Sequence, residues 1–419
     1  MYDTEKPRYC SDDLWYLKAL MVFAIGELLR GRVRDDADLP GSPYFHETIR
    51  NLPNFFALRA AGTLAVEILG LIAFYLQCSD CKEDAYVYAG MALRLAISNG
   101  MARESSNAGM KRRLAAATGN TWGIHDDAIS TSQPRDSPGF PPASTLLVNV
   151  NIAKATSQIT QGIYGKKSRS ESEFTSAVQE VLSLLTQAIE KIPSEHTVDF
   201  SRPLQLTRTN ATLYLMFYQA RMLATRPALL YTAKSNLHRD GPMRDCKLES
   251  LCNECIEAAT RTLEILQALK RQGLLTKFGF FDLDATFSAA FVFVLVEAMG
   301  PGDRRDLNLA RITTALGLLE YLSGHGNKAA GKRQADIEQM CRHLRVSLSQ
   351  SSNGLATSSA DGQRTIPAAE GSINAEEVST TPNETLEPLT FYTDTDFNLT
   401  GAVETDWEEF ERMIFRLQN

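Results

Sequence analysis

From Ser11 to about residue 348, apolar residues return at intervals of three and four, the spacing of helices with one buried face. Ser11, with Asp12 and Asp13, opens a first helix whose inward side is Leu14, Leu17, Met21, Ala24, Ile25 and Leu28, and Gly31 closes it. Thr63 opens another, in which Val66, Leu69, Ile72, Phe74 and Leu76 leave little polar surface, so this helix is expected at the centre of the fold. After a short polar turn, Asp80 is placed to cap the next helix, with Glu83 three residues on and Gly100 as its stop. Ala85, Tyr88, Ala89, Ala92, Leu93, Ala96 and Ile97 share one side of it, and so many small residues admit a close neighbour. Amphipathic stretches follow at about 146–163, 172–192, 204–236, 248–272, 283–299, 307–322 and 328–348, the third expected to break or kink at Pro227. The Gly- and Pro-containing segment 115–145 reads as an extended loop. With no alternating strand pattern of useful length and no fixed-period repeat, the pattern predicts an all-α chain, one large domain of packed helical hairpins over residues 1–348.

Beyond residue 348 the helical period stops. Residues 349–388 are rich in Ser, Thr, Gly and Asn and carry too little apolar surface to offset the entropy of ordering, which predicts a disordered linker. The charge is equally uneven. The chain has a formal net charge of −7, yet residues 370–419 hold 12 acidic residues against Arg412 and Arg416, a balance of −10 that leaves the remainder at +3. Within the acidic tail, 389–419, aromatic and carboxylate residues interleave at Phe391, Tyr392 and Phe397, and again at Trp407 and Phe410. Trp407, Phe410, Ile414 and Leu417 fall at helical spacing, so a partner groove could bury them along one side of a helix. These seven residues are the expected partner-binding set of an activation-type tail. The competing expectation is that the last helix folds back to cover a groove of its own body.

The other chemistry in the chain is sparse. With 44% hydrophobic residues in 419, the chain can bury a large core. No run of roughly eighteen apolar residues suggests a membrane span, and the first residues lack a signal-peptide pattern, so a soluble intracellular protein is expected. Seven cysteines at irregular spacing read as reduced thiols. Cys78 and Cys81, and Cys252 and Cys255 with Cys246 nearby, have the spacing zinc thiolates use, but Cys252 and Cys255 also sit on the packing period of a helix. The six histidines are scattered, and Asp126-Asp127 lacks the third carboxylate that a magnesium-diphosphate site on a helix would need. No nucleophile elbow, phosphate loop or dinucleotide loop is present, so neither an enzyme nor a resident cofactor is expected. The basic runs Lys111-Arg112-Arg113 and Lys166-Lys167-Ser168-Arg169 read as solvated surface in a nearly neutral body.

One segment carries more than periodicity. Tyr75-Leu76-Gln77, a polar turn, and then Ala85-Tyr86, Tyr88, Gly90, Ala92-Leu93-Arg94, Ala96 and Gly100 resemble the fungal-specific transcription factor domain, the helical middle region of fungal binuclear zinc cluster regulators. Pro43-Tyr44-Phe45, the acidic and Pro-containing stretch from Asp126 to Phe140, the run from Phe280 to Ala290 and Leu319 to Ala330 are similar to the same family, in the same order. The resemblance implies a nuclear regulator of transcription whose tail engages a coactivator or the transcription machinery, with a homodimer as one arrangement. The family's six-cysteine module is not in this sequence, so zinc and DNA contact are expected only through a module these residues lack. The family's aromatic helix after the glycine stop is also missing, since Met110 to Leu114 runs directly into Ala115-Ala116-Ala117. The alternative is an all-α interaction or inhibitory module that binds no DNA and acts on related regulators.

Overall fold

The computed structural model describes residues 11–31, 39–99, 134–136, 138, 142–165, 169–237, 246–299, 305–344 and 346, with the backbone of Thr390 and Phe391. Among them are twelve α-helices: α1 Ser11–Arg30, α2 Ser42–Arg50, α3 Phe55–Ala60, α4 Thr63–Cys78, α5 Lys82–Ser98, α6 Ala143–Gln158, α7 Glu171–Ile189, α8 Arg208–Leu237, α9 Cys246–Arg271, α10 Phe280–Ala298, α11 Arg305–Gly324 and α12 Lys328–His343. The all-α expectation holds. The exception is an antiparallel pair of two-residue strands, β1 Arg169–Ser170 and β2 Thr390–Phe391, with Arg169 opposite Phe391. The linker 349–388, most of the loop 115–145 and the region of the missing aromatic helix lie outside the described residues.

Two apolar cores form. The first is built from α1 to α5. Leu14, Leu17, Met21, Ala24 and Leu28 of α1 meet Val66, Leu69, Ile72 and Ala73 of α4, and Ala85, Ala89, Ala92 and Ala96 of α5 close against the same helix. The small side chains of α5 act as the spacing implied, with one change: Leu95 is buried whereas Ile97 faces solvent. Gly41 is obligatory at the approach of α2 to α1. Its φ is +83°, and a Cβ there would come within 2.3 Å of the Ala24 carbonyl oxygen. The next residues fasten α2 to α4: the Tyr75 hydroxyl donates to the Pro40 carbonyl at 3.1 Å, and the Phe45 and Tyr75 rings stack with centroids 4.6 Å apart.

The second core is larger and takes in α6 to α12. Its centre is α10, where Phe287, Phe291 and Phe293 are fully buried and nearly every position is apolar, the composition of a helix surrounded by others. Around it pack α8, α9 and α11, with α12 lying across α10 and α11.

Pro227 neither breaks nor ends α8, which runs unbroken for 30 residues. Proline at this position takes away the N–H that would reach the Leu223 carbonyl four residues back. That carbonyl is satisfied from elsewhere, because the Tyr164 hydroxyl donates to it at 2.8 Å. Tyr164 arrives there at the end of a π-helical turn, Ile159–Tyr164, that widens the last part of α6. A proline carbonyl that would be orphaned thus becomes the tie between two helices. Tyr164→Phe is expected to lower stability by about 1–3 kcal/mol, the cost of an unsatisfied buried acceptor. In a Pro227→Ala background the loss should shrink, since an alanine N–H can serve Leu223, and a double-mutant cycle by urea unfolding measures the difference.

Candidate functional site

The two cores meet at a charged junction. The loop between α9 and α10 crosses from one to the other: Leu275 packs in the second core while Phe278 is buried in the first, and Phe280 meets Phe74 edge-on at 6.0 Å. The loop is held by Asp282, which is 0% exposed in the first turn of α10. Its two carboxylate oxygens accept both guanidinium arms of Arg208, at 2.9 and 2.8 Å, and Oδ2 also accepts from the Thr276 backbone N–H and hydroxyl at 2.8 and 2.6 Å. A buried carboxylate with this many donors is compensated for its lost hydration, and its place at a helix N-terminus adds to that.

Two residues along α10, Asp284 belongs to a second cluster. Arg333 of α12, only 3% exposed, donates through Nη2 to Asp80 at 2.7 Å and stands 3.9 Å from Asp284. Its guanidinium lies over the Phe287 ring at 4.9 Å. Lys82 at the start of α5 reaches Asp284 at 3.4 Å. Two cations and two carboxylates from α4–α5, α10 and α12 therefore link the two bundles. Asp80 does not cap α5 as its sequence position suggests: Cys81 occupies the N-cap and makes no side-chain capping bond to the helix. Instead Asp80 takes a left-handed conformation, φ +61°, that Asp tolerates better than most residues, and turns its carboxylate to Arg333. Sequence reasoning passed over Arg333, although it lies in register with buried Ala330, Ile337 and Met340 on an otherwise polar helix. A cation on an apolar stripe is the signal that could have found it.

The cysteine pairs are packing residues. Burial pushes the Cys78 thiol up to about 12, with Asp284 and Asp282 adding to the effect, and burial also pushes the fully enclosed Cys255 up to about 12. Cys252 is raised by the same cause, and its sulfur lies 3.6 Å from the Thr232 hydroxyl. Zinc needs thiolates, and these surroundings favour the thiol. Among the described residues no three His, Cys, Asp or Glu side chains gather where they could share a metal ion, and no helix is long and apolar enough to cross a membrane.

A surface cleft of about 540 Å³ lies between α9 and α11, lined by Glu249, Asn253, Glu254, Glu257 and Arg311 among others. Two of its carboxylates are engaged, Glu254 with Arg221 and Glu257 with Arg261 at 2.8 Å. Arg261 also covers Phe200, which meets Tyr214 and Tyr218 edge-on. Burial holds the Tyr218 hydroxyl up at about 12, against the pull of Arg261 and Arg221. The cleft wall is thus a braced structural surface of ion pairs and aromatic rings.

Of the seven tail residues expected to bind a partner, the structure describes only Phe391, and only its backbone, paired with Arg169 ahead of α7. Tyr392, Phe397, Trp407, Phe410, Ile414 and Leu417 lie outside the described residues.

The chain matches no known protein-family profile, and no solved structure matches it significantly. Among curated proteins it is similar to two from Schizosaccharomyces pombe. One is an uncharacterized transcriptional regulatory protein, 23% identical over 356 residues that cover 78% of this chain and 44% of that protein. The other is the thiamine repressible genes regulatory protein thi1, 24% identical over 336 residues that cover 73% of this chain and 42% of that protein. The chain spans less than half the length of these curated relatives.

Two outcomes are expected at this site. Arg333→Met should destabilise the fold by about 2–4 kcal/mol because it removes the buried cation between the half-buried carboxylates of Asp80 and Asp284, whereas Asp80→Asn, which keeps the turn, should cost about 1–3 kcal/mol. Hydrogen exchange should place the added opening of Arg333→Met in α4–α5 and α12 before it reaches the centre of α10. The thiols give a pH signature. Their raised folded values favour the neutral form, so their contribution to stability is complete below the ordinary thiol value of 9.0 and is lost as pH rises toward 12. Alkylation followed by mass spectrometry at pH 8 should label exposed Cys246 first and spare Cys78 and Cys255 until the chain unfolds.

Proposed function

We propose that this chain is the helical regulatory region of a fungal transcription regulator of the zinc cluster type. The observation that carries the reading is the extent of the likeness to the two Schizosaccharomyces pombe proteins named as transcriptional regulators, which spans about three quarters of this chain. The domain-level resemblance supports it, since Ala85, Ala89, Ala92 and Ala96 of the resembling segment pack as a helix of a hairpin with α4. A regulator also accords with a body whose polar groups brace helices: Asp282 ties α10 to Arg208 of α8 and to Thr276 of the preceding loop, and Arg333 ties α12 to Asp80.

In this reading the body sets the geometry and the acidic tail makes contact with a coactivator or the transcription machinery in the nucleus. DNA is contacted through a segment outside these 419 residues, which contain no six-cysteine zinc pattern. The tail is the part to test. Fused to an unrelated DNA-binding domain, residues 385–419 are expected to activate a reporter gene. Replacing both Trp407 and Phe410 by Ala should remove most of the signal, because aromatic anchors commonly carry about 2 kcal/mol or more of a binding energy. A fusion that expresses stably in the nucleus yet stays silent would remove the tail from this role and favour the inhibitory or docking alternative.

A further inference from the structure

The short sheet joins two parts of the chain that the sequence keeps far apart. β1 lies between the π-helical turn that ends at Tyr164 and the start of α7, and Thr390–Phe391 of the acidic tail runs antiparallel beside it and close to α7. Both approaches to β1 are fixed. Tyr164 is tied to the Leu223 carbonyl, and Ser170 is the N-cap of α7: its hydroxyl accepts from the Glu173 N–H at 3.2 Å, and the Glu173 carboxylate accepts from the Ser170 N–H at 3.1 Å. Because α7 begins at Glu171, the ladder cannot lengthen in that direction. It can lengthen only the other way, toward Ser168, Lys167 and Lys166 on one side and Tyr392, Thr393 and Asp394 on the other. The register pairs Arg169 with Phe391 and Ser170 with Thr390, and carried on along the sequence it sets Lys166 opposite Asp394.

We propose that the basic run Lys166-Lys167-Ser168-Arg169 is a docking edge for the chain's own tail, which adds residues 390–394 to it as a strand and sets Asp394 and Asp396 against its cations. Backbone pairing and charge support each other in this arrangement. A pair of two-residue strands is marginal in water by itself, so a second contribution is needed to hold it. The sequence supplies one. Three cations within four residues meet a segment, 370–419, whose balance is −10 while the rest of the chain sums to +3, and unlike charges across a strand pair favour the pairing. Solvated ion pairs are screened by salt, so the docked strand is reversible and salt-sensitive. The dock also divides the tail. Phe391 and Tyr392 belong to the docking strand, and Trp407, Phe410, Ile414 and Leu417 are left for a partner. That division rests on the activation reading above, whereas the dock does not.

Hydrogen exchange of the full chain at low salt, read by mass spectrometry, tests the dock. Lys166→Glu with Lys167→Glu leaves the tail sequence untouched and should speed exchange across 389–396 at least about threefold. An unchanged thermal melt and unchanged exchange in α7 separate a lost dock from a lost fold. The charge swap gives the direction: a tail carrying Asp394→Lys and Asp396→Lys should be protected on the Lys166→Glu, Lys167→Glu edge and not on the native one. High salt should shrink both differences. Equal exchange of 389–396 with native and altered edges overturns the dock, and so does protection of the swapped tail on the native edge. The division of the tail is read in the reporter fusion of 385–419, which lacks the edge. There Phe391→Ala with Tyr392→Ala should keep at least about half of the signal. A loss as large as that of Trp407→Ala with Phe410→Ala overturns the division. A silent fusion overturns the activation reading and the division with it, while the exchange comparison still decides the dock.

Discussion

The arrangement of the whole molecule turns on one buried guanidinium. Arg333 leaves water to stand between Asp80 of the first bundle and Asp284 of the second, with Phe287 beneath it. A charge in that position is tolerated only while its carboxylate partners are in place to accept from it. Asp80 accepts a left-handed backbone to supply one partner, and Lys82 keeps Asp284 balanced on its other side. Apolar packing alone would hold two bundles together in many orientations. Directional ion pairs at the seam select one.

Asp282 performs the complementary task within the second bundle. By gathering Arg208 and the Thr276 backbone and hydroxyl, it fixes the loop that inserts Phe278 into the first core. Asp282 and Asp284, two positions apart near the start of α10, thereby tie the loop and α12 into the same seam. Tyr164 follows the same logic on a smaller scale, since a long-range hydroxyl completes the carbonyl that Pro227 leaves open. In each case a polar group that would be a defect inside one element is made sound by another element distant in sequence.

The charged groups Asp282 and Arg333 of the described interior are tied across elements rather than within them. The Asp282 carboxylate is matched by four donors, burial favours the neutral form of the Cys78 and Cys255 thiols, and the open cleft carries two ion pairs on its wall. The acidic aromatic tail, proposed above as the contact for a partner, lies outside the described residues apart from the backbone of Thr390 and Phe391.

The sequence by itself was enough to determine the elements. Helical periodicity located nearly every helix, the glycine at Gly31 ended α1, and the run of alanines in α5 announced a close neighbour, because these signals depend on residues within a turn or two of each other. It also marked Cys252 and Cys255 as packing residues, since their spacing matched the buried line of α9. What only the tertiary structure decided depends on groups far apart in the chain. Asp80 looked like a helix cap until Arg333, 253 residues away, drew its carboxylate elsewhere. Pro227 looked like a break until Tyr164 supplied the missing donor. The pairing of Arg169 with Phe391 left no mark in the sequence, because two residues of strand are too few to show an alternating pattern. Local spacing reports what a segment can bury, and only the folded chain shows which polar groups meet and which distant segments pair.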